Sequence, residues 1–114
     1  MDVNDTVKEV LRNKELEFIK EDYAKIVASD PRSRLSENDV KSAISVYKGK
    51  ITPAPESYYK NLEIIKITGT EPVEYFVDFD LWIDNKQSDL TATFHLTEES
   101  KGVYQATLDD LHTL

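Results

Sequence analysis

The chain of 114 residues contains no cysteine. A chain without cysteine has no disulfide framework, no thiolate metal site and no cysteine nucleophile, and such a composition is typical of the reducing cytosol. Glycine is also scarce, and Gly49, Gly69 and Gly102 all lie at predicted ends of helices or strands. Scattered glycines form neither a phosphate-binding loop nor a dinucleotide-binding fingerprint. The composition therefore excludes thiol chemistry and argues against nucleotide chemistry.

Long apolar runs are missing as well. No segment approaches the roughly 20 apolar residues of a membrane-spanning helix, and residues 1–5 lack the basic and apolar regions of a signal peptide. The amphipathic N-terminal segment is not basic enough for a membrane surface. We therefore expect a soluble, cytoplasmic protein without a membrane partner. The length fits a single domain, residues 1–114, which buries roughly two thirds of its unfolded surface.

Basic residues are outnumbered by acidic ones. The chain has 14 lysines and arginines against 22 aspartates and glutamates, so its formal net charge is −8. This charge repels a phosphate backbone, and the basic residues are interspersed with acidic ones instead of forming a stripe. The sequence predicts no nucleic-acid partner, whereas a basic protein would be attracted.

The helical part of the chain is predicted to comprise residues 1–49. Apolar residues recur at helical spacing, but their phase changes around residues 13–15, which predicts a kink or a junction of two helices there. Pro31 is expected to end this segment, because the residue before a proline avoids helical geometry. Ser36 and Asp39 have the spacing of a weak capping box in front of a further short helix.

The rest of the chain is predicted to form a connector and a sheet. Residues 50–58 contain Pro53 and Pro55, which suit neither a helix interior nor a central strand. Residues 59–110 carry the strand patterns of an antiparallel sheet. The predicted strands are residues 62–68, 73–84, 88–97 and 103–108. This order predicts an α+β fold, in which N-terminal helices pack on one face of a curved antiparallel sheet of about four strands.

The strand over residues 73–84 has two different faces. One face is apolar and predicts a core, with Val73, Tyr75, Val77, Phe79, Leu81 and Ile83. The other face combines carboxylates with two large aromatic side chains, and its members are Glu74, Phe76, Asp78, Asp80, Trp82 and Asp84. A sheet face that is only solvated does not need large aromatic residues between its carboxylates. We therefore interpret the mixed face as a binding surface.

The predicted partner-binding residues extend this face onto the next strand and the C-terminal segment. They are Phe76, Asp78, Asp80, Trp82, Asp84, Asp89, His95, Asp109 and Asp110. Phe76 and Trp82 are expected to anchor a partner, and the carboxylates to steer it and pair with its lysines and arginines. Two other interpretations stay open. In the first, the face is an ordinary solvated surface. In the second, its aromatic residues are covered, either by this chain's own N-terminal helix or by a second copy.

Catalytic and metal sites are not expected. Strand carboxylates two residues apart project in parallel, about 7 Å apart, so they do not converge as a hard cation requires. His95 is expected near Asp89, but no nucleophile elbow accompanies it. A proton-transfer pocket of Asp80, His95 and Tyr75 is disfavoured, because alternation places Tyr75 opposite Asp80. We expect no catalytic residue, no metal and no cofactor.

Three segments, Leu81-Trp82, Ser88 to Thr91 and Leu108 to His112, resemble an uncharacterised family of small bacterial domains. The order of elements is similar to the cystatin-like or nuclear-transport-factor-like cone, and the size, acidity and layout are similar to bacterial immunity proteins. The resemblance to immunity proteins implies a non-enzymatic domain that binds and neutralises a basic toxin. The cone resemblance implies instead a small enzyme or ligand-binding protein with an internal pocket. A homo-oligomeric structural domain, such as a homodimer, is the third hypothesis.

Overall fold

The computed structural model describes residues 3–28, 35–69, 71 and 73–113. Within these ranges the chain forms helices α1 (Val3–Ile19), α2 (Tyr23–Ala28), α3 (Glu37–Ser45) and α4 (Glu56–Lys60), and strands β1 (Ile51–Thr52), β2 (Ile65–Ile67), β3 (Glu74–Ile83), β4 (Lys86–Ser100) and β5 (Val103–Thr113). The predicted α+β fold is confirmed. Its sheet is antiparallel and contains five strands.

The first helix runs through the predicted phase break. α1 is continuous to Ile19, and the junction with α2 follows at residues 20–22, where Glu21 has a positive φ of 57°. The position predicted for the junction was wrong, because Lys14 and Glu15 are charged residues at buried positions and interrupt the apolar pattern. The predicted helix end at Pro31 lies outside the described residues.

The capping box at the start of α3 is confirmed. The Ser36 hydroxyl accepts a hydrogen bond of 3.1 Å from the backbone N–H of Asp39, whose carboxylate accepts one of 2.9 Å from the N–H of Ser36. The hydrogen bonds from Ser36 lower the pKa of Asp39. This box fixes the phase of α3, so that Val40 and Ile44 face the core.

The prediction of a plain connector over residues 50–58 was wrong. Residues Ile51 and Thr52 form β1, which pairs with one end of β3, and α4 begins directly after Pro55. Only the segment from Pro53 to Pro55 between them lacks regular structure, as its prolines require. Two-residue strands and one-turn helices depend on distant partners, so local patterns do not reveal them.

The sheet has the strand order β1-β3-β4-β5, and β2 also pairs with β3. β1 and β2 take opposite ends of one edge of β3, because the other edge is occupied by β4. One face of the sheet packs against the helices, as shown by the edge contact between Phe18 of α1 and Phe94 of β4. The buried residues of this core face are Tyr75, Val77, Phe79, Leu81, Leu90, Ala92, Phe94, Leu96, Ala106 and Leu108.

Register shifts interrupt the pairing of the described strands at three places, and two of them affect the outer positions of the sheet. In β4, residues 88–90 lie opposite Leu81 alone, since the pairs on either side are Asp80 with Thr91 and Trp82 with Gln87. In β5, Asp109 is an extra residue between the pairs of Phe94 with Leu108 and of Thr93 with Asp110. A single extra residue reverses the faces of the residues that follow it. Asp110 therefore points away from the helices.

A buried carboxylate attaches α1 to the segment around α4. Glu15 is 5% exposed and accepts hydrogen bonds from the Ala54 N–H, at 3.0 Å, and from the Tyr59 hydroxyl, at 2.8 Å. The guanidinium of Arg12 lies 4.0 Å from the centre of the Tyr59 ring and pairs with Glu56. Burial raises the pKa of Glu15 above its ordinary value of 4.5, although both hydrogen bonds and Arg12 act in the opposite direction.

Glu15→Gln is expected to change the pH dependence of stability. Because the pKa of Glu15 is higher in the folded than in the unfolded state, the contribution of Glu15 to the free energy of unfolding is largest below pH 4.5 and falls as pH rises through the folded-state pKa. Glutamine can accept from Ala54 and donate to Tyr59, so the variant removes this loss of stability while keeping both contacts. Urea unfolding between pH 4 and 8 measures the slope.

Glu63→Gln is the matched control, because it removes the same charge from an exposed side chain. It should keep the slope of the wild type, whereas Glu15→Gln should flatten it. Identical slopes for Glu15→Gln and the wild type would contradict a role for the buried carboxylate.

Candidate functional site

The outer face is defined as the side of β3, β4 and β5 that points away from the helices. The strand register aligns its side chains in four rows across the three strands: Glu74–Thr97–Gln105, Phe76–His95–Thr107, Asp78–Thr93–Asp110 and Asp80–Thr91–His112. Four carboxylates and two histidines occupy these positions, and none of them holds a lysine or an arginine. Neighbouring strands lie about 4.8 Å apart, so the carboxylates share one negative surface.

Neutral donors hold the two aspartates of β3 in place. The Thr93 hydroxyl donates to Asp78 at 2.7 Å, and the Thr91 hydroxyl donates to Asp80 at the same distance. Asp80 also accepts a hydrogen bond of 2.8 Å from the side-chain amide of Gln87. An ionised carboxylate accepts about four hydrogen bonds, so both aspartates keep acceptor capacity for another molecule. Their donors carry no charge, and the surface remains acidic.

A stacked pair of rings lies in the second row. The Phe76 and His95 rings have centroids 4.9 Å apart and an interplanar angle of 25°, and the His95 Nε2 lies 2.6 Å from the Glu74 carboxylate. The predicted proximity of His95 to Asp89 was wrong, since the register of β3 with β4 places His95 opposite Phe76. Farther along the face, the His112 Nδ1 lies 2.9 Å from a carboxylate oxygen of its neighbour in β5, Asp110.

The second row continues onto β2, which lies outside the residues predicted from the sequence to bind a partner. Ile65 pairs with Phe76, and Ile67 pairs with Glu74. Ile65 is 52% exposed and therefore adds apolar surface beside Phe76. The apolar pattern of residues 62–68 predicts a strand but not its pairing partner, so the sequence does not assign Ile65 to a face of the sheet.

Trp82 lies at the margin of the outer face and is partly covered. Its ring packs edge-on against Tyr58 of α4, with centroids 5.9 Å apart, and no acceptor for its buried indole N–H lies among the described residues. The Tyr58 hydroxyl accepts a hydrogen bond of 2.7 Å from the backbone N–H of Asp80, so it fills the β3 edge between β1 and β2. Burial raises the pKa of Tyr58 to about 12.

Three of the predicted aspartates do not join the rows. Asp84 lies in the turn after β3, where its carboxylate accepts a hydrogen bond of 3.1 Å from the Lys50 N–H. Asp89 lies in the bulge of β4 and accepts one of 2.5 Å from the Tyr47 hydroxyl, which raises the pKa of that tyrosine. Asp109 is the extra residue of β5 and is half-buried. The outer face thus brings together Phe76, Asp78, Asp80, His95 and Asp110, with Trp82 beside them.

No catalytic constellation is assembled from the residues considered above. Tyr75 lies on the core face, with its ring 5.8 Å from that of Tyr104, so it forms no pocket with Asp80 and His95. Across the described ranges, no three side chains of His, Asp or Glu come together as a metal site would require. A recess of about 230 Å³ between the helices and β1 is lined mainly by apolar residues such as Phe18.

Comparison with protein-family models matches residues 16–114 to DUF7668, a domain of unknown function. The chain belongs to this family. The matched residues include the whole sheet and all nine predicted partner-binding residues. Searches of curated proteins and of solved structures gave no match. In the part of the chain that the structure describes, no helix is long and apolar enough to cross a membrane.

Thr91→Val is expected to lower the free energy of unfolding by about 1–2 kcal/mol, because it removes a hydroxyl donor from the partly buried carboxylate of Asp80. Thr91 is 1% exposed, so water does not easily replace this donor. The matched control is Thr93→Val, which removes the equivalent donor from the exposed Asp78 and should cost less than half as much. Urea unfolding measures both, and equal losses would contradict the assigned burial.

Tyr58→Phe is expected to speed hydrogen exchange at the Asp80 amide, because it removes the only acceptor that the described residues offer to this edge N–H. The Phe ring keeps the contact with Trp82, so the fluorescence of this single tryptophan should not change. Amide exchange followed by NMR provides the measurement, and the Val77 amide serves as an internal control. Unchanged protection of Asp80 would show that the hydroxyl does not cap the edge.

Proposed function

We propose that this DUF7668 domain is a non-enzymatic binding domain that docks a basic protein on its outer face. The observation that carries the proposal is the set of four carboxylates in three of the four rows, without a lysine or arginine at any row position. The helices pack on the opposite side of the sheet, and the Asp78 and Asp110 side chains on this side are exposed. A surface of one charge sign attracts a partner of the other sign and rejects partners of its own.

The arrangement of these carboxylates suits recognition of lysine and arginine side chains. Asp78 and Asp110 flank Thr93 in one row, and Asp80 lies in the next row. Hydrogen bonds from Thr93, Thr91 and Gln87 already orient the two aspartates of β3. A partner that binds oriented side chains loses less conformational entropy than one that must first order them.

The finer form of the proposal is a cytoplasmic immunity protein that neutralises a basic bacterial toxin. Support comes from the small size, the net charge of −8 and the acidic outer face, which is suited to covering a basic surface. A homodimer through the outer face is disfavoured, since two copies would bring like charges together. The apolar recess beside Phe18 gives no specific support to a cone-fold enzyme.

The proposal is tested by titrating the ¹⁵N-labelled protein with the peptide acetyl-Arg-Gly-Arg-Gly-Arg-amide and with its counterpart containing glutamates instead of arginines. We expect amide shifts at the outer-face positions with the arginine peptide alone. Binding should weaken from 20 to 300 mM salt, because screening shortens the reach of exposed charges to about 8 Å at physiological ionic strength.

Paired variants separate the outer face from overall charge. Asp78→Asn with Asp110→Asn should weaken binding of the arginine peptide several-fold, whereas Glu9→Gln with Glu37→Gln, which removes two exposed charges from α1 and α3, should have little effect. Shifts spread over the helices, or equal losses in the two double variants, would overturn the proposal.

A further inference from the structure

The outer face contains an apolar patch between its carboxylates. This patch, called the Ile65 patch, consists of Ile65 together with the stacked rings of Phe76 and His95 in the second row. Ile65 is 52% exposed, whereas Trp82 at the margin of the face is partly covered by Tyr58. On the outer face, the exposed apolar surface therefore lies away from the only tryptophan of the chain.

The geometry of the Ile65 patch is fixed by its neighbours. The His95 ring is held against Phe76 by stacking at 4.9 Å and lies 2.6 Å from the Glu74 carboxylate through its Nε2. Pairing of β2 with β3 places Ile65 beside Phe76 on the same side of the sheet. The edges of two stacked rings, with an exposed aliphatic side chain beside them, can receive one apolar side chain of a partner.

Carboxylates lie on both sides of the patch along β3. Glu74 belongs to the row before Phe76 and Asp78 to the row after it. A strand rises about 3.4 Å per residue, so the Glu74 and Asp78 positions are about 14 Å apart, with the patch midway between them. Protein interfaces commonly combine an apolar anchor with charged residues around it, and the anchor supplies most of the affinity.

We infer that the partner presents one aliphatic or aromatic side chain between two basic ones, and that this apolar side chain packs on the Ile65 patch while the basic residues pair with Glu74 and Asp78. This inference rests on the proposed function and specifies its partner. In an extended segment, residues i, i+2 and i+4 point to one side and span the same distance of about 14 Å. The pattern Arg-X-Leu-X-Arg therefore matches the spacing of the face.

Three pentapeptides test this pattern by NMR titration. Acetyl-Arg-Ser-Leu-Ser-Arg-amide carries the leucine on the side of both arginines. Acetyl-Arg-Leu-Ser-Ser-Arg-amide has the same composition but carries the leucine on the opposite side, and acetyl-Arg-Ser-Ser-Ser-Arg-amide lacks it. We expect the first peptide to bind about tenfold more tightly than the other two, because it alone buries a leucine side chain on the patch.

Two protein variants test whether the preference for the first peptide depends on the Ile65 patch. Ile65→Ser should reduce the advantage of the first peptide to about twofold or less and leave binding of the leucine-free peptide unchanged, since no carboxylate is removed. Val46→Ser removes another exposed aliphatic side chain, 78% exposed and just after α3, and should keep the full preference. Because Ile65 is exposed, its replacement is not expected to unfold the protein.

The outcomes separate the inference from the proposed function. Equal binding of all three peptides would overturn the apolar anchor and leave the acidic docking face standing. A preference that survives Ile65→Ser, or that Val46→Ser abolishes, would place the anchor elsewhere and overturn the inference. If none of the peptides binds and the arginine-glycine peptide also fails, the proposed function itself is wrong.

Discussion

The structure depends on the burial of one side of the sheet against the helices. Phe79 of β3, Phe94 of β4 and Leu108 of β5 are almost fully buried, and each contributes a few kcal/mol of apolar burial that any other register would lose. A slip of one residue between strands would turn Asp78 and Asp80 toward the helices and leave two carboxylates without water. The rows of the outer face are therefore a consequence of the core, whatever residues they contain.

The bulge in β5 extends this constraint to the end of the chain. Strict alternation from Leu108 would place Asp110 in the core and Leu111 in solvent. The extra residue Asp109 reverses this, so that Leu111 pairs with Ala92 on the core face and Asp110 joins Thr93 outside. The pattern Leu-Asp-Asp-Leu over residues 108–111 indicates the bulge, because two successive acidic residues between leucines do not fit a period of two.

Alternation and capping rules predicted the parts of the molecule that depend on near neighbours. They gave the helix-then-sheet order, the capping box at Ser36, and the common face of Phe76, Asp78 and Asp80, since a strand's two faces follow from its own residues. These rules do not predict which distant segments pair with each other. Nothing near Asp84 in the sequence indicates that it accepts from Lys50, and nothing near Ile65 indicates that it lies beside Phe76.

The outer face differs from most polar sheet surfaces in how its carboxylates are balanced. Where lysine or arginine pairs with an aspartate across strands, the surface becomes neutral and weakly interacting. Here the cross-strand partners of Asp78 and Asp80 are threonines, which donate hydrogen bonds of 2.7 Å without adding charge. The sheet gains cross-strand contacts and ordered side chains, and it keeps its negative field. Stability of the hairpin and the negative charge of the outer face thus depend on the same four residues.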